Sequence, residues 1–195
     1  MYNPTNVADS VGEWVEILNY GCNDIDLSGW TIEDTAGASN PDPLEVLCGG
    51  GGSKSKDGDD SMVLKSGEYA LILDQDSVVL LEEMGNIPSG TKIFQTDDMA
   101  IGQGLNNNDG DTITLKDSGG NIIQELDYSG SACGNAANGD NFSIERTNPL
   151  GAVECGNFIS DEIETFGFES GGTPGFQNNI WSGTVTEFGK DCVCS

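Results

Sequence analysis

The apolar residues of this chain come in short runs, each closed by a turn-forming cluster before a helix of useful length could form. Tyr69-Ala70-Leu71-Ile72-Leu73 and Val78-Val79-Leu80-Leu81 are such runs, and Lys92-Ile93-Phe94 reads as a short strand. Strands commonly need only ~5 residues, whereas helices of globular proteins average ~11. No long segment carries apolar residues at the 3.6-residue spacing of a helix, and only residues 78–84 are a candidate for a short one. Glycine, 28 residues of the 195, recurs between the runs. The pattern predicts an all-β chain with many turns.

Individual strands follow from the same reading. Glu13-Trp14-Val15-Glu16-Ile17-Leu18 alternates polar with β-favouring apolar side chains, and Asn19 to Asp24 supplies turn residues. Ile25-Asp26-Leu27 and Trp30-Thr31-Ile32 read as one short strand broken at Ser28-Gly29. Residues 35–60 read as loop, with Pro41, Pro43, the glycines at 49–52 and Asp57-Gly58-Asp59-Asp60. Asp111-Thr112-Ile113-Thr114-Leu115, the turn Ser118-Gly119-Gly120-Asn121 and a returning strand over 122–128 form the clearest hairpin. Phe142-Ser143-Ile144-Glu145-Arg146 is a further strand.

Acidic residues outnumber basic ones 33 to 7, a formal charge of −26 spread along the whole chain. Such a surface repels phosphate backbones and anionic headgroups, which excludes nucleic acid and membrane surfaces as partners. No apolar run approaches the ~18 residues of a membrane span. No leader peptide is visible at the start, as in a mature or trimmed chain or one that is not secreted. A solvated surface suited to high salt and a surface partly neutralised by bound Ca²⁺ both answer the charge. The six cysteines are Cys22, Cys48, Cys133, Cys155, Cys192 and Cys194, and there is no histidine. Disulfides, and with them an oxidising compartment, are the reading of these cysteines. We expect Cys22–Cys48 and Cys133–Cys155, each joining segments that flank a loop, with Cys192 and Cys194 paired to each other or to another molecule.

Catalytic constellations are poorly served. Without histidine no Ser-His-Asp or Cys-His arrangement can be built. No phosphate-cradling G-x-x-x-x-G-K-[ST] loop occurs, and among 33 acids some carboxylate pair always falls at a glycosidase-like distance. We therefore expect no enzyme. Two loops concentrate oxygen donors suited to Ca²⁺: Asp57, Asp59 and Asp60 in one, and Asn106, Asn108, Asp109 and Asp111 in the other. Asp97-Asp98 is a weaker third candidate. Neither loop has the EF-hand spacing, and an ordinary turn or solvated loop explains each as well. Trp14, Trp30 and Trp181 could stack on sugars, although core or sheet packing is the usual fate of a tryptophan in a strand. Asn141-Phe142-Ser143 is a formal glycosylation sequon.

Several pieces in order resemble the lamin tail domain family, in its prokaryotic secreted form. Glu13 to Ile17 followed by Asp26-Leu27-Ser28-Gly29-Trp30-Thr31-Ile32 is similar to the family's opening. Leu105-Asn106-Asn107 and Gly110 to Asp117 resemble its central hairpin, continued by Gly120-Asn121-Ile122-Ile123 and Asp127-Tyr128. Phe142 to Arg146 resembles a late strand, and Gly172-Thr173-Pro174-Gly175-Phe176-Gln177-Asn178 a closing turn. The resemblance implies an immunoglobulin-like β-sandwich of two antiparallel sheets with long loops, over residues 1–179, with 180–195 as a C-terminal extension.

The family's domains carry no known catalytic residues and often accompany secreted enzymes. The expectation is therefore a non-catalytic extracellular or cell-surface module, structural or adhesive, with Ca²⁺ as a stabilising ion. Its partner would be a protein, through self-assembly or a neighbouring surface protein. A carbohydrate-binding module, or an accessory domain of a larger secreted enzyme, is the alternative. In the family, Met1-Tyr2-Asn3-Pro4 resembles the close of a first strand that begins earlier, which leaves room for a foreign strand beside residues 13–18. Thr184-Val185-Thr186-Glu187-Phe188, from this tail or a neighbouring subunit, has the strand character to fill it.

Overall fold

In the computed structural model the described residues are 13–47, 61–75, 77, 87–88, 91–106, 110–129 and 144–160. They contain twelve short strands and no α-helix. In chain order the strands are β1 (Trp14–Leu18), β2 (Ile25–Asp26), β3 (Thr31–Glu33), β4 (Asp42–Pro43), β5 (Glu45–Val46) and β6 (Val63–Leu64). They continue as β7 (Tyr69–Leu73), β8 (Lys92–Gln95), β9 (Thr112–Lys116), β10 (Ile122–Asp127), β11 (Ile144–Arg146) and β12 (Phe158–Ser160).

Two four-stranded sheets face each other, with orders β1-β7-β8-β5 and β10-β9-β3-β4, and two-stranded pairs β11-β12 and β2-β6 accompany them. This is an immunoglobulin-like β-sandwich, as the sequence predicts. One pair departs from the antiparallel expectation: β7 and β8 run parallel, Ala70 opposite Lys92 and Leu73 opposite Gln95. A parallel pair cannot be joined by a tight turn, and the chain from 74 to 91 provides the crossover. The apolar run of β7 is buried on both faces, with Ala70, Leu71, Ile72 and Leu73 fully inaccessible. A central strand between two neighbours reads as a continuous hydrophobic stretch for this reason. Leu27, Ile32, Leu44, Leu64, Phe94 and Leu115 pack on Ala70 and Ile72 to form the core between the sheets.

The hairpin of β9 and β10 forms as read. Gly120 takes φ 78°, and the Asp117 carboxylate accepts the backbone N–H groups of Gly119 and Asn121 at 2.9 Å each. A bulge between Ile122 and Gln124 shifts the register of β10.

Two expectations need correction. Residues 25–32 are not one interrupted strand: β2 pairs with β6, and β3 lies between β9 and β4. The turn closed by the Trp30 N–H on the Leu27 carbonyl, with Gly29 at φ 75°, carries the chain from one sheet to another. Residues 35–47 are not simply loop, because β4 and β5 are outer strands there. Pro43 is tolerated in β4 because an outer strand needs no donor on its far side. The candidate helix at 78–84, the closing turn at 172–178, the sequon at Asn141 and the boundary at 179/180 lie outside the described residues.

Candidate functional site: a groove between two outer strands

β1 is an outer strand of one sheet and β10 of the other. Among the described residues β1 pairs only with β7, and β10 only with β9. A cavity of about 500 Å³ opens between these two strands. Trp14, Ile17 and Leu18 of β1 and Tyr69 of β7 form one wall. Ile113 and Leu115 of β9 with Ile123, Gln124 and Leu126 of β10 form the other. Leu27, Trp30, Ile32 and Leu64, together with residues of β11, Pro149, Val153 and Phe158, complete the lining.

All five residues of β1 line the groove, and β9 contributes Ile113 and Leu115 from one face. The groove carries some polarity. Glu16, Asn19 and Glu145 line it, and Arg146 donates through Nη2 to the Gly151 carbonyl. Burial depresses the Arg146 guanidinium, and the neighbouring Tyr20 partly offsets this. Burial raises the Tyr69 phenol, with Glu16 and Glu145 adding to the effect. The indole N–H of Trp14 is buried without an acceptor. Ile123, half exposed, and the exposed Tyr20 both line the groove. Trp14 is only 3% exposed and Trp30 is half-buried, so neither presents an open ring face, and Trp181 lies outside the described residues.

A second feature was read from the sequence only at Asp111, which follows Gly110 at a strand entrance where a carboxylate can accept turn N–H groups. Glu13, Asp34, Asp42, Asp74 and Asp111 are all buried. Their carboxylates bind loop backbone. Asp34 accepts from Gly37 N–H and, at 2.9 Å, from Gln103 N–H. Asp42 accepts from Gly102 N–H, and Asp111 accepts from Thr112 N–H at 2.7 Å and Thr35 N–H at 3.2 Å. Asp74 accepts from Ser77 N–H at 2.8 Å. Glu13 accepts backbone N–H groups of Leu105 and Ile101, yet burial holds its carboxyl up at about 7. Burial likewise raises Asp42 to about 6, with Asp98, Asp97 and Asp34 adding repulsion. These acids fasten the loops at residues 34–37 and 101–105 to the sandwich. Apart from the place of Asp111, the only sequence signals for this role are the glycines that let the loops approach. A Cβ on Gly102 would sit 2.4 Å from Asp34 Cγ, and one on Gly37 2.8 Å from Asp34 Oδ1.

Of the residues proposed for Ca²⁺, Asn106 and Asp111 are described, while Asp57, Asp59, Asp60, Asn108 and Asp109 lie outside the described residues. Asp111 accepts turn N–H groups, as its place at a strand entrance suggests. Asp97 and Asp98 are exposed. Among the described residues no three carboxylate, histidine or cysteine groups converge in a metal-binding arrangement. Cys22 and Cys155 are each disulfide-bonded. Cys48, Cys133, Cys192 and Cys194 lie outside the described residues, and the expected pairing with them.

Among the described residues no helix is long and apolar enough to cross a membrane. No curated protein and no solved structure matches the chain. The family model of the Lamin Tail Domain matches residues 1–130, from ahead of β1 to just past β10. That span includes both walls of the groove and the buried acids, and the family is one of non-enzymatic immunoglobulin-like domains. By this match over two thirds of its length, the chain belongs to the lamin tail domain family.

Proposed function

We propose that this protein is a non-catalytic extracellular module, structural or adhesive, that takes an extended segment of a partner protein into the groove between β1 and β10. The groove itself carries the reading: an apolar slot of about 500 Å³ flanked by two strands that each have one described neighbour. An extended peptide placed there satisfies strand edges with main-chain hydrogen bonds and fills the slot with alternate side chains. It would also offer backbone carbonyls to a buried indole N–H such as that of Trp14. The charge of −26 favours a basic partner segment. The disulfides at Cys22 and Cys155 support an oxidising location. Calcium belongs to the same reading as a stabiliser of the acidic loops. What supports it is the clustering of Asp and Asn at residues 57–60 and 106–111 in a chain with 33 acidic and 7 basic residues. Equal melting temperatures in millimolar Ca²⁺ and in chelator, at matched ionic strength, would remove calcium from the account.

The test is to pan a library of random displayed peptides against the protein and, in parallel, to probe a glycan array. Enrichment of basic, β-favouring peptides is expected, with binding weakened by Ile123→Glu. Ile123 is half exposed, so this change should leave the core intact. Glycan binding without peptide enrichment would favour the carbohydrate-binding alternative and overturn the proposal.

A further inference from the structure

Every backbone amide of residues 101–105 has an acceptor, and all but one of these acceptors are carboxylates from elsewhere in the chain. The Ile101 and Leu105 N–H groups donate to Glu13, just ahead of β1. The Gly102 N–H donates to Asp42 of β4, and the Gln103 N–H donates to Asp34, just after β3, at 2.9 Å. Only the Gly104 N–H stays within the segment, on the Ile101 carbonyl at 3.1 Å. Gly102 and Gly104 take φ 69° and 99°, which lets neighbouring N–H groups converge as in an anion-binding nest. The anions here are the protein's own. Ile101 and Leu105 meanwhile sit in the core with Leu44 and Phe94. Among the described residues no ion pair reaches Glu13, Asp34 or Asp42. The charged groups that face them have the same sign. Glu13 faces Asp34, Asp74 just after β7 and the Tyr128 phenol just after β10. Asp42 faces Asp34 and the exposed Asp97 and Asp98 beyond β8. Asp111, at the entrance to β9, accepts the Thr35 N–H beside Asp34.

We propose that residues 101–105 form a proton-held latch, which stays shut while Glu13 and Asp42 carry protons and lifts as a unit, ahead of the sandwich, once both are ionised. The geometry supplies the reason. Shut, the latch keeps these two carboxyls out of water and beside further acids, so ionisation there meets desolvation and repulsion together. A protonated carboxyl keeps acceptor capacity for the amides and gains a donor for a neighbouring carboxylate. Lifting the segment returns both groups to water, where ionisation carries no such penalty. The direction follows from the protons held. Burial keeps Glu13 at about 7 and Asp42 at about 6, above the ordinary 4.5 and 3.8. The shut form therefore binds more protons than the open one between about pH 4 and 7, and closure weakens as pH rises through that window. Opening uncovers Ile101 and Leu105, so an apolar pair of the core becomes accessible on the alkaline side. The latch lifts first because its amides depend on side-chain acceptors, whereas Tyr69–Leu73 is laddered to β1 on one side and β8 on the other.

The experiment measures amide hydrogen exchange of the full chain from pH 5 to pH 8 at constant ionic strength, expressed as protection factors so that the intrinsic rise of exchange with pH drops out. The amides of residues 101–105 should lose protection roughly tenfold or more across that range. At every pH they should be less protected than Tyr69–Leu73. In the double variant Glu13→Gln/Asp42→Asn the amide oxygens still accept but nothing ionises, and the loss should shrink to about threefold or less. Protection at 101–105 that stays constant in the wild type, or rises with pH as bonds to ordinary carboxylates would make it, would overturn the inference. So would protection equal to that of Tyr69–Leu73 throughout, since the segment then opens only when the whole domain unfolds. A double variant that keeps the wild-type loss would overturn it too, by placing the titrating groups elsewhere. Should the double variant fail to fold, Glu13→Gln alone should show a smaller loss than the wild type, and an equal loss counts against the latch.

Discussion

At the residue scale the buried carboxylates are the most consequential groups, because each is both a fastener and an electrostatic burden. Glu13 stands at about 7 and Asp42 at about 6, against ordinary values of 4.5 and 3.8. Both bind a proton more tightly in the folded chain than in the unfolded one. Between about pH 4 and 7 the folded state therefore holds more protons, and stability falls as pH rises through that window. The urea midpoint should be higher at pH 5 than at pH 8, and Glu13→Gln should flatten the part of the slope between pH 5 and 7. A midpoint that rises steadily from pH 5 to 8 would contradict these assignments. Gly102 makes a sharper test. It sits at φ 69°, and a Cβ would come within 2.4 Å of the Asp34 carboxyl, so neither the backbone nor the neighbour can yield cheaply. Gly102→Ala should cost ~2 kcal/mol or more in equilibrium unfolding, beyond the range of an ordinary loop substitution. Nothing in a glycine's immediate sequence announces such a role. It depends on Asp34, far away in the chain, and this is why the acid fasteners other than Asp111 were not legible beforehand.

At the scale of elements, local chemistry decided what could be read in advance. The β9–β10 hairpin was legible because its turn is written in consecutive residues, Asp117 binding the amides of Gly119 and Asn121. β7 was legible because an unbroken apolar run of five residues between turn signals has few other fates. The two-residue strands β4, β5 and β6 were not legible. They exist because β3, β8 and β2 lie alongside them, and no two-residue stretch carries a period. The same holds for the parallel pairing of β7 with β8, which is a property of the crossover and of neither strand. Energetics follow burial. Ile72 is fully inaccessible in the core, and Ile72→Ala should destabilise by ~2–5 kcal/mol. Ile122 is 57% exposed, and Ile122→Thr should change stability by no more than ~0.5 kcal/mol. Chemical denaturation of the two variants side by side checks both, and equal losses would mean that the sheets do not pack as described.

At the scale of the whole molecule, the sandwich has two regions with different chemistry. Around Glu13, Asp34, Asp42 and Asp111, carboxylates bind loop amides and the structure is fastened shut. Between β1 and β10 it opens into an apolar groove. The family's fold was visible in the order of its motifs along the chain, whereas the groove is visible only once β1 and β10 are seen as the outer strands of facing sheets. Under the proposed function, the acidic surface then selects among the segments that could enter. The most direct measurement is amide hydrogen exchange of the protein with and without a saturating, panned peptide. Strand addition predicts new protection confined to Trp14–Leu18 and Ile122–Asp127, with the acid-fastened loop at 101–105 unchanged. Protection centred on that loop, or a bound peptide that leaves both outer strands exchanging as before, would contradict the account.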